Sequence, residues 1–204
     1  IIQGNAQPIA SLQSSLSFGY DPELKPLPFD PVAAKAALEA AGVPAGSPVD
    51  LSFVGDDATF REVAQTIAAY LSGVGLTVSL KSYESNAYYS DVIPKGTTGA
   101  MFEFNWGGWT FDFDNTAYLL YHSGQYWNPF VKDAALDALL DKQRASFDPE
   151  ERRTILQEVA RYAADQALDI PLYNLNTIYG VNKRVGNLPP TPDVRFRFLE
   201  TTVE

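Results

Sequence analysis

The sequence contains no cysteine and a single histidine, His122. The first absence excludes disulfides, thiolate metal sites and a cysteine nucleophile. The second removes Ser-His-Asp triads and multi-histidine metal centres built within one chain. Cysteine usage leaves the compartment open. No apolar run reaches the roughly 18 residues that a membrane helix needs. Positive charge is also scarce, with 15 Lys+Arg against 25 Asp+Glu and a net charge of −10. No basic stripe is present to release counterions from a phosphate backbone, so nucleic acid is excluded as a partner. What the sequence does have is 204 residues, 46% of them hydrophobic and 13% aromatic, enough for one domain or one large lobe. The opening residues Ile1 to Asn5 carry neither a signal-peptide pattern nor an initiator methionine, and a piece of a longer protein is expected.

Residues 1–29 hold four prolines and little periodicity, and they read as a connecting arm. Asp30-Pro31 opens a helix that Gly42 closes. Val49, Leu51 and Phe53 alternate with polar residues as in a strand. Thr59 and Glu62 have capping-box spacing, ahead of apolar residues at helical intervals from Phe60 to Val74. Leu76, Val78 and Leu80 make a second strand, a short helix is expected over 86–93, and Met101 to Trp106 form a third, aromatic strand. Strand and helix alternating in this way predict an α/β fold with a largely parallel sheet flanked by helices. The second half is predicted helical, with one helix around Leu136 to Leu140 and another beginning at Asp148-Pro149. A late strand is expected over Ile170 to Leu175. The α/β lobe then spans 30–182, and a proline-rich tail covers 183–204.

The most unusual stretch runs from Phe104 to Asn115 and leaves the third strand directly. Ligands of open α/β sheets bind outside the carboxyl ends of the strands. Gly107-Gly108 permit a sharp turn and a close backbone approach. Trp106 and Trp109 offer a flat apolar wall, and Asp112 and Asp114 a negative pole, suited to an amine, a cation or a polyol. Asn105 and the rim tyrosines Tyr83, Tyr88 and Tyr89 are further candidates. Against this stand a core role for Trp106, packing of the tyrosines under the short helix, and a helix-capping role for Asp112 or Asp114; Glu103 reads as a solvated edge charge or, less simply, as a partner supporting the site from behind. Two acidic residues among aromatics also allow a carbohydrate-active hydrolase using Asp112 and Asp114.

Several segments resemble one family. They are Pro28 to Gly42, Ala64 to Val78, Gly108-Trp109-Thr110-Phe111-Asp112-Phe113-Asp114, Trp127-Asn128-Pro129, Asp137 to Leu140, Asp148 to Arg152, and Asp169 to Tyr173. In this order they are similar to the extracytoplasmic solute-binding proteins (family 5) of peptide, oligopeptide and nickel ABC importers, over about residues 4–188. The pattern departs from the family at Asp114, one place early, and at Asn115, where proline is usual. The resemblance implies a type II periplasmic-binding-protein-like lobe, the C-terminal one of two that close on a ligand, with 183–204 leading back toward the other. It implies a monomeric, non-enzymatic receptor without cofactor or metal, periplasmic or otherwise extracytoplasmic. The receptor would capture peptides or similar solutes for a membrane permease and its ATPase, and would meet the membrane only through them or through an anchor elsewhere. It also implies that Asp112 pairs with a ligand ammonium, beside Trp109, Trp106, Asn105, Tyr83 and Tyr88.

Overall fold

The computed structural model describes residues 1–204. Three strands, β2 (Pro48–Val54), β3 (Thr77–Tyr83) and β4 (Met101–Phe102), form a parallel sheet in the order β3-β2-β4. Short β1 (Ala6–Pro8), inside the arm, pairs antiparallel with β5 (Tyr173–Leu175), and β6 (Val185–Gly186) pairs with β7 (Thr202–Val203) in the tail. The aromatic strand is shorter than its alternation predicts. Its ladder ends where the Glu103 N–H donates to Ser52 O at 2.8 Å, and the chain from Phe104 to Trp106 leaves the sheet.

The central strand β2 is buried on both faces, from Leu51 through Val54. Helix α2 (Ala58–Gly73) covers one side with Val63 and Ala64, and Leu51, Phe53 and Ala64 pack as one cluster. On the other, Val54 meets Tyr88, Val92 and Ile93 from the short helix after β3. That helix, α3, begins as Ser85–Ala87 and continues as a π-helical turn, Tyr88–Val92. The capping of α2 differs from the sequence expectation. Asp57, not Thr59, accepts from the free N–H groups, with Oδ1 2.7 Å from Thr59 N and 3.1 Å from Phe60 N. A carboxylate one residue ahead of the first helical position satisfies two donors and the helix dipole together.

The second half is helical as expected: α4 (Phe113–Tyr121), α5 (Ala134–Ala145) and α6 (Pro149–Asp165). Their apolar stripes converge on Phe113, Leu136, Leu140, Leu156 and Val159, all fully or almost fully buried. Asp148 caps α6 with Pro149 at its first turn, and Asp30 likewise caps α1 (Pro31–Ala40), as the sequence predicts. None of α1 is buried, so it stands on capping and alanine propensity rather than on packing within this chain. No helix is long and apolar enough to cross a membrane.

Candidate functional site

Where the parallel strands end, the chain opens into a cavity of about 370 Å³. It is lined by Val54, Asp56 and Asp57 after β2, Phe60 of α2, Ser85 and Tyr89 after β3, and Asn105 after β4. Three successive strand ends thus contribute to one concavity, the place that parallel topology reserves for ligands. Asp56 Oδ2 accepts from Ser85 N at 3.3 Å, which ties the loops after β2 and β3 together.

Glu103 follows β4, two residues before cavity-lining Asn105. It is 8% exposed, and its Oε2 atom is buried without a hydrogen-bond partner. The sequence reading of a solvated edge charge therefore gives way to a buried carboxyl. Burial, and secondarily the Asp57 charge, push Glu103 up to about 8 from the usual carboxylate range. Tyr89 is raised by burial and then by Asp57, Glu103 and Asp56. Tyr173 of β5 is raised by burial and then by Glu103 and Asp57. Acidic side chains thus gather at the end of the sheet. Arg61 of α2 donates to the Gly55 carbonyl at 2.6 Å.

Beside the cavity runs an aromatic shelf. Phe104 and Trp106 stand with ring centres 5.6 Å apart, Trp106 and Trp109 5.3 Å, and Trp106 and Trp127 5.8 Å. Phe104 connects the shelf to cavity-lining Tyr89 at 5.8 Å. Trp109 is 57% exposed, a large apolar side chain left to solvent, whereas Trp106 is half-buried with its indole N–H unpartnered. Gly107 makes the arrangement: a Cβ there would stand 2.9 Å from ring atoms of Trp109. Gly107→Ala is accordingly expected to displace the Trp109 indole while leaving the core intact, read as a shifted tryptophan emission with an unchanged unfolding midpoint.

The candidates from sequence divide into three groups. Asn105 lines the cavity, and Trp106 and Trp109 form the adjacent shelf. Tyr83 is half-buried, stacked on Tyr88 at 5.7 Å beneath the site. Tyr88 takes the packed alternative rather than the rim position. It is fully buried, and its hydroxyl lies within donating distance of Ser52 O (3.0 Å) and Glu103 O (2.9 Å), where it secures β2 to the chain after β4.

Asp112 takes the helix-capping alternative and adds a partner that the sequence did not reveal. It is the N-cap of α4, with Oδ1 accepting from Asp114 N at 3.0 Å. Both carboxylate oxygens also accept from Arg152 of α6, at 2.7 and 2.8 Å. Asp114 is held by Arg144 through two bonds of 2.8 and 2.9 Å, and accepts from buried Gln143 as well. Neither residue lines the cavity described above. The structure thus commits Asp112 to a guanidinium, and a ligand ammonium there would have to compete with it. The hydrolase alternative has no support either. Each aspartate is tied to its own arginine, whereas an acid and base pair must face one another across the bond to be cleaved.

Sequence reasoning missed Asp56 and Asp57, and it favoured a solvated edge for Glu103. The signal for the first two was available, since Gly55-Asp56-Asp57 directly follows a strand. The burial of Glu103 had none.

The chain matches the family described as "Bacterial extracellular solute-binding proteins, family 5 Middle" over residues 1–128. It is 28% identical over 187 residues to the nickel-binding periplasmic protein of Escherichia coli K12, covering 83% of this chain and 35% of that protein. Identity is 25% to di/tripeptide-binding protein 3 of Pseudomonas aeruginosa UCBPP-PA14, over 99% of this chain and 39% of that protein. In three dimensions it is similar to the periplasmic binding protein DppA of Helicobacter pylori in complex with the peptide STSA. That likeness has a TM-score of 0.80 and 24% identity, over 99% of this chain and 40% of the other. The chain therefore spans well under half the length of these relatives. With a family match over more than half its residues and this fold over nearly all of them, the chain belongs to the bacterial extracellular solute-binding proteins of family 5.

Proposed function

We propose that this chain is one lobe of an ABC-importer receptor. The receptor captures peptides or similar small solutes between two lobes outside the cytoplasm and delivers them to a membrane permease and its ATPase. One observation carries the reading: an exposed indole, Trp109, stands on a rigid aromatic shelf beside a cavity at the carboxyl ends of parallel strands. Soluble domains seldom leave such a surface open without a use for it. Trp109 and Trp106 supply the wall, Asn105 a polar contact at the cavity, and Tyr83 support beneath it. Asp112 acts through the shelf, by fixing the turn that carries Trp109. Relatives whose names specify di- and tripeptides and nickel support a small-solute cargo. The receptor works as a monomer and carries out no reaction on its cargo.

Mass spectrometry of solute released from the whole receptor on denaturation should identify the cargo. Trp109→Ala should then weaken its binding by on the order of tenfold, a fair value for losing one aromatic wall. Unchanged calorimetric affinity would remove the shelf from the site. The chain by itself should bind the same solute far more weakly than the whole receptor, because the facing lobe's contacts and the closed state are missing.

A further inference from the structure

We infer that Phe18 of the arm and Phe111 are positioning residues for the Trp109 wall: together they hold its turn in one conformation before any solute arrives. The use of that wall rests on the receptor reading above; its placement does not. Trp109 follows Gly108 in a tight turn, which the Phe111 N–H closes by donating to the Gly108 carbonyl at 3.0 Å. The direction of the indole therefore depends on how the chain leaves this turn, at Phe111. There the backbone is left-handed, with φ at 51°. A bulky L residue rarely adopts that region, because its Cβ crowds the following carbonyl oxygen. It persists only where the surroundings enforce it.

The arm supplies the enforcement. Phe18 N–H donates to Phe111 O at 2.7 Å, and Phe113 N–H donates to Phe18 O at 3.1 Å, so that Phe18 bridges the chain on both sides of Asp112. The carbonyl that leaves the left-handed residue and the first amide of α4 are thus both taken by one residue from far earlier in the chain.

That residue is itself immobilised. The Phe18 ring packs against the helical core, with the guanidinium carbons of Arg152 and Arg153 at 5.1 and 4.5 Å from its centre. Gly19 brings the arm so close to α6 that a Cβ there would stand 2.7 Å from the Leu156 Cβ. Tyr20 O accepts from Gln157 at 3.0 Å, and buried Asp21 pairs with Arg161 at 2.7 Å. Phe18 through Asp21 are each fixed to α6, and the turn hangs on a rigid support. A wall set in this way needs no ordering when solute binds, whereas an indole on a free Gly107-Gly108 turn would lose its freedom at that moment.

The test compares Phe111→Asn with Phe111→Val in the whole receptor, without solute. Phe111 is half-buried and outside the helical core cluster, so both variants should fold. Asparagine takes the left-handed region readily but loses apolar bulk; valine keeps more of the bulk but, branched at Cβ, is poor in that region. Near-ultraviolet circular dichroism of the Trp106 and Trp109 pair, identified by its loss in Trp109→Phe, reports a fixed indole. This signal should persist in Phe111→Asn and be largely lost in Phe111→Val. Exchange of the Phe18 amide should be unchanged in the first and faster by on the order of tenfold in the second. A residue acting only through its side-chain packing would give the reverse order. Valine as the less disturbed variant, or the two alike, would overturn the proposal. No solute is present, so the outcome is separate from the receptor reading, which the Trp109→Ala affinity decides.

Discussion

Replacing Asp112 by alanine is expected to destabilise the chain by on the order of 2–4 kcal/mol, one of the two largest effects expected of a polar substitution here. Two losses combine. Arg152 would lose a bidentate partner while its side chain is only 22% exposed, and a half-buried guanidinium without a counter-charge is unfavourable. Helix α4 would lose its cap, an effect of about 1 kcal/mol by itself. Partial exposure of the pair holds the total below the range for fully buried ions. Asp112→Asn separates the two, since asparagine caps well but cannot pair with Arg152, and it should retain part of the stability. Denaturant unfolding with fitted midpoints and slopes is the measurement. A change under about 0.5 kcal/mol for alanine would mean that the pair contributes nothing and that the carboxylate is free for a ligand. The same substitution should loosen the shelf. The backbone around Asp112 is clamped to the arm by Phe18 N–H donating to Phe111 O and Phe113 N–H donating to Phe18 O, and Arg152 and Arg153 lie over the Phe18 ring.

Glu103→Gln is expected to change how stability depends on pH. The folded state holds this carboxyl at about 8, against 4.5 when unperturbed. Between these values the folded chain binds a proton that the unfolded chain has released, so stability falls as pH rises from about 4.5 to about 8. The contribution is complete below the lower value and lost above the upper one. Glutamine has no proton to lose, so the variant should lack this slope and be the more stable protein at pH 9, by on the order of 2–4 kcal/mol. At pH 4 the two should be nearly equal. Thermal or urea unfolding across that interval decides it. Parallel profiles for the two proteins would mean that Glu103 titrates normally and is solvated.

Much of the architecture can be read before any coordinates. Asp30-Pro31 and Asp148-Pro149 start helices because carboxylate caps and a first-turn proline act within a few residues. The alternation around Leu51 and the helical spacing after Phe60 are equally local, and they suffice to predict a parallel sheet with α2 crossing over it. The position of the site at the strand ends also follows from topology alone. The failures share a different cause. Asp112 presents a tryptophan-flanked acid in one dimension, yet Arg152, 40 positions away, claims it. Tyr88 and Tyr89 are neighbours in sequence, but the π turn sends one into the core and the other to the cavity.

By itself, the sequence determined what depends on near neighbours: the elements, their caps, the acidic and cysteine-free character, and the aromatic turn with its glycines. The tertiary structure alone decided which acids are neutralised and which are stranded. Charge pairing and desolvation depend on distances and burial created by distant segments meeting, as Arg152 of α6 meets Asp112 at the start of α4.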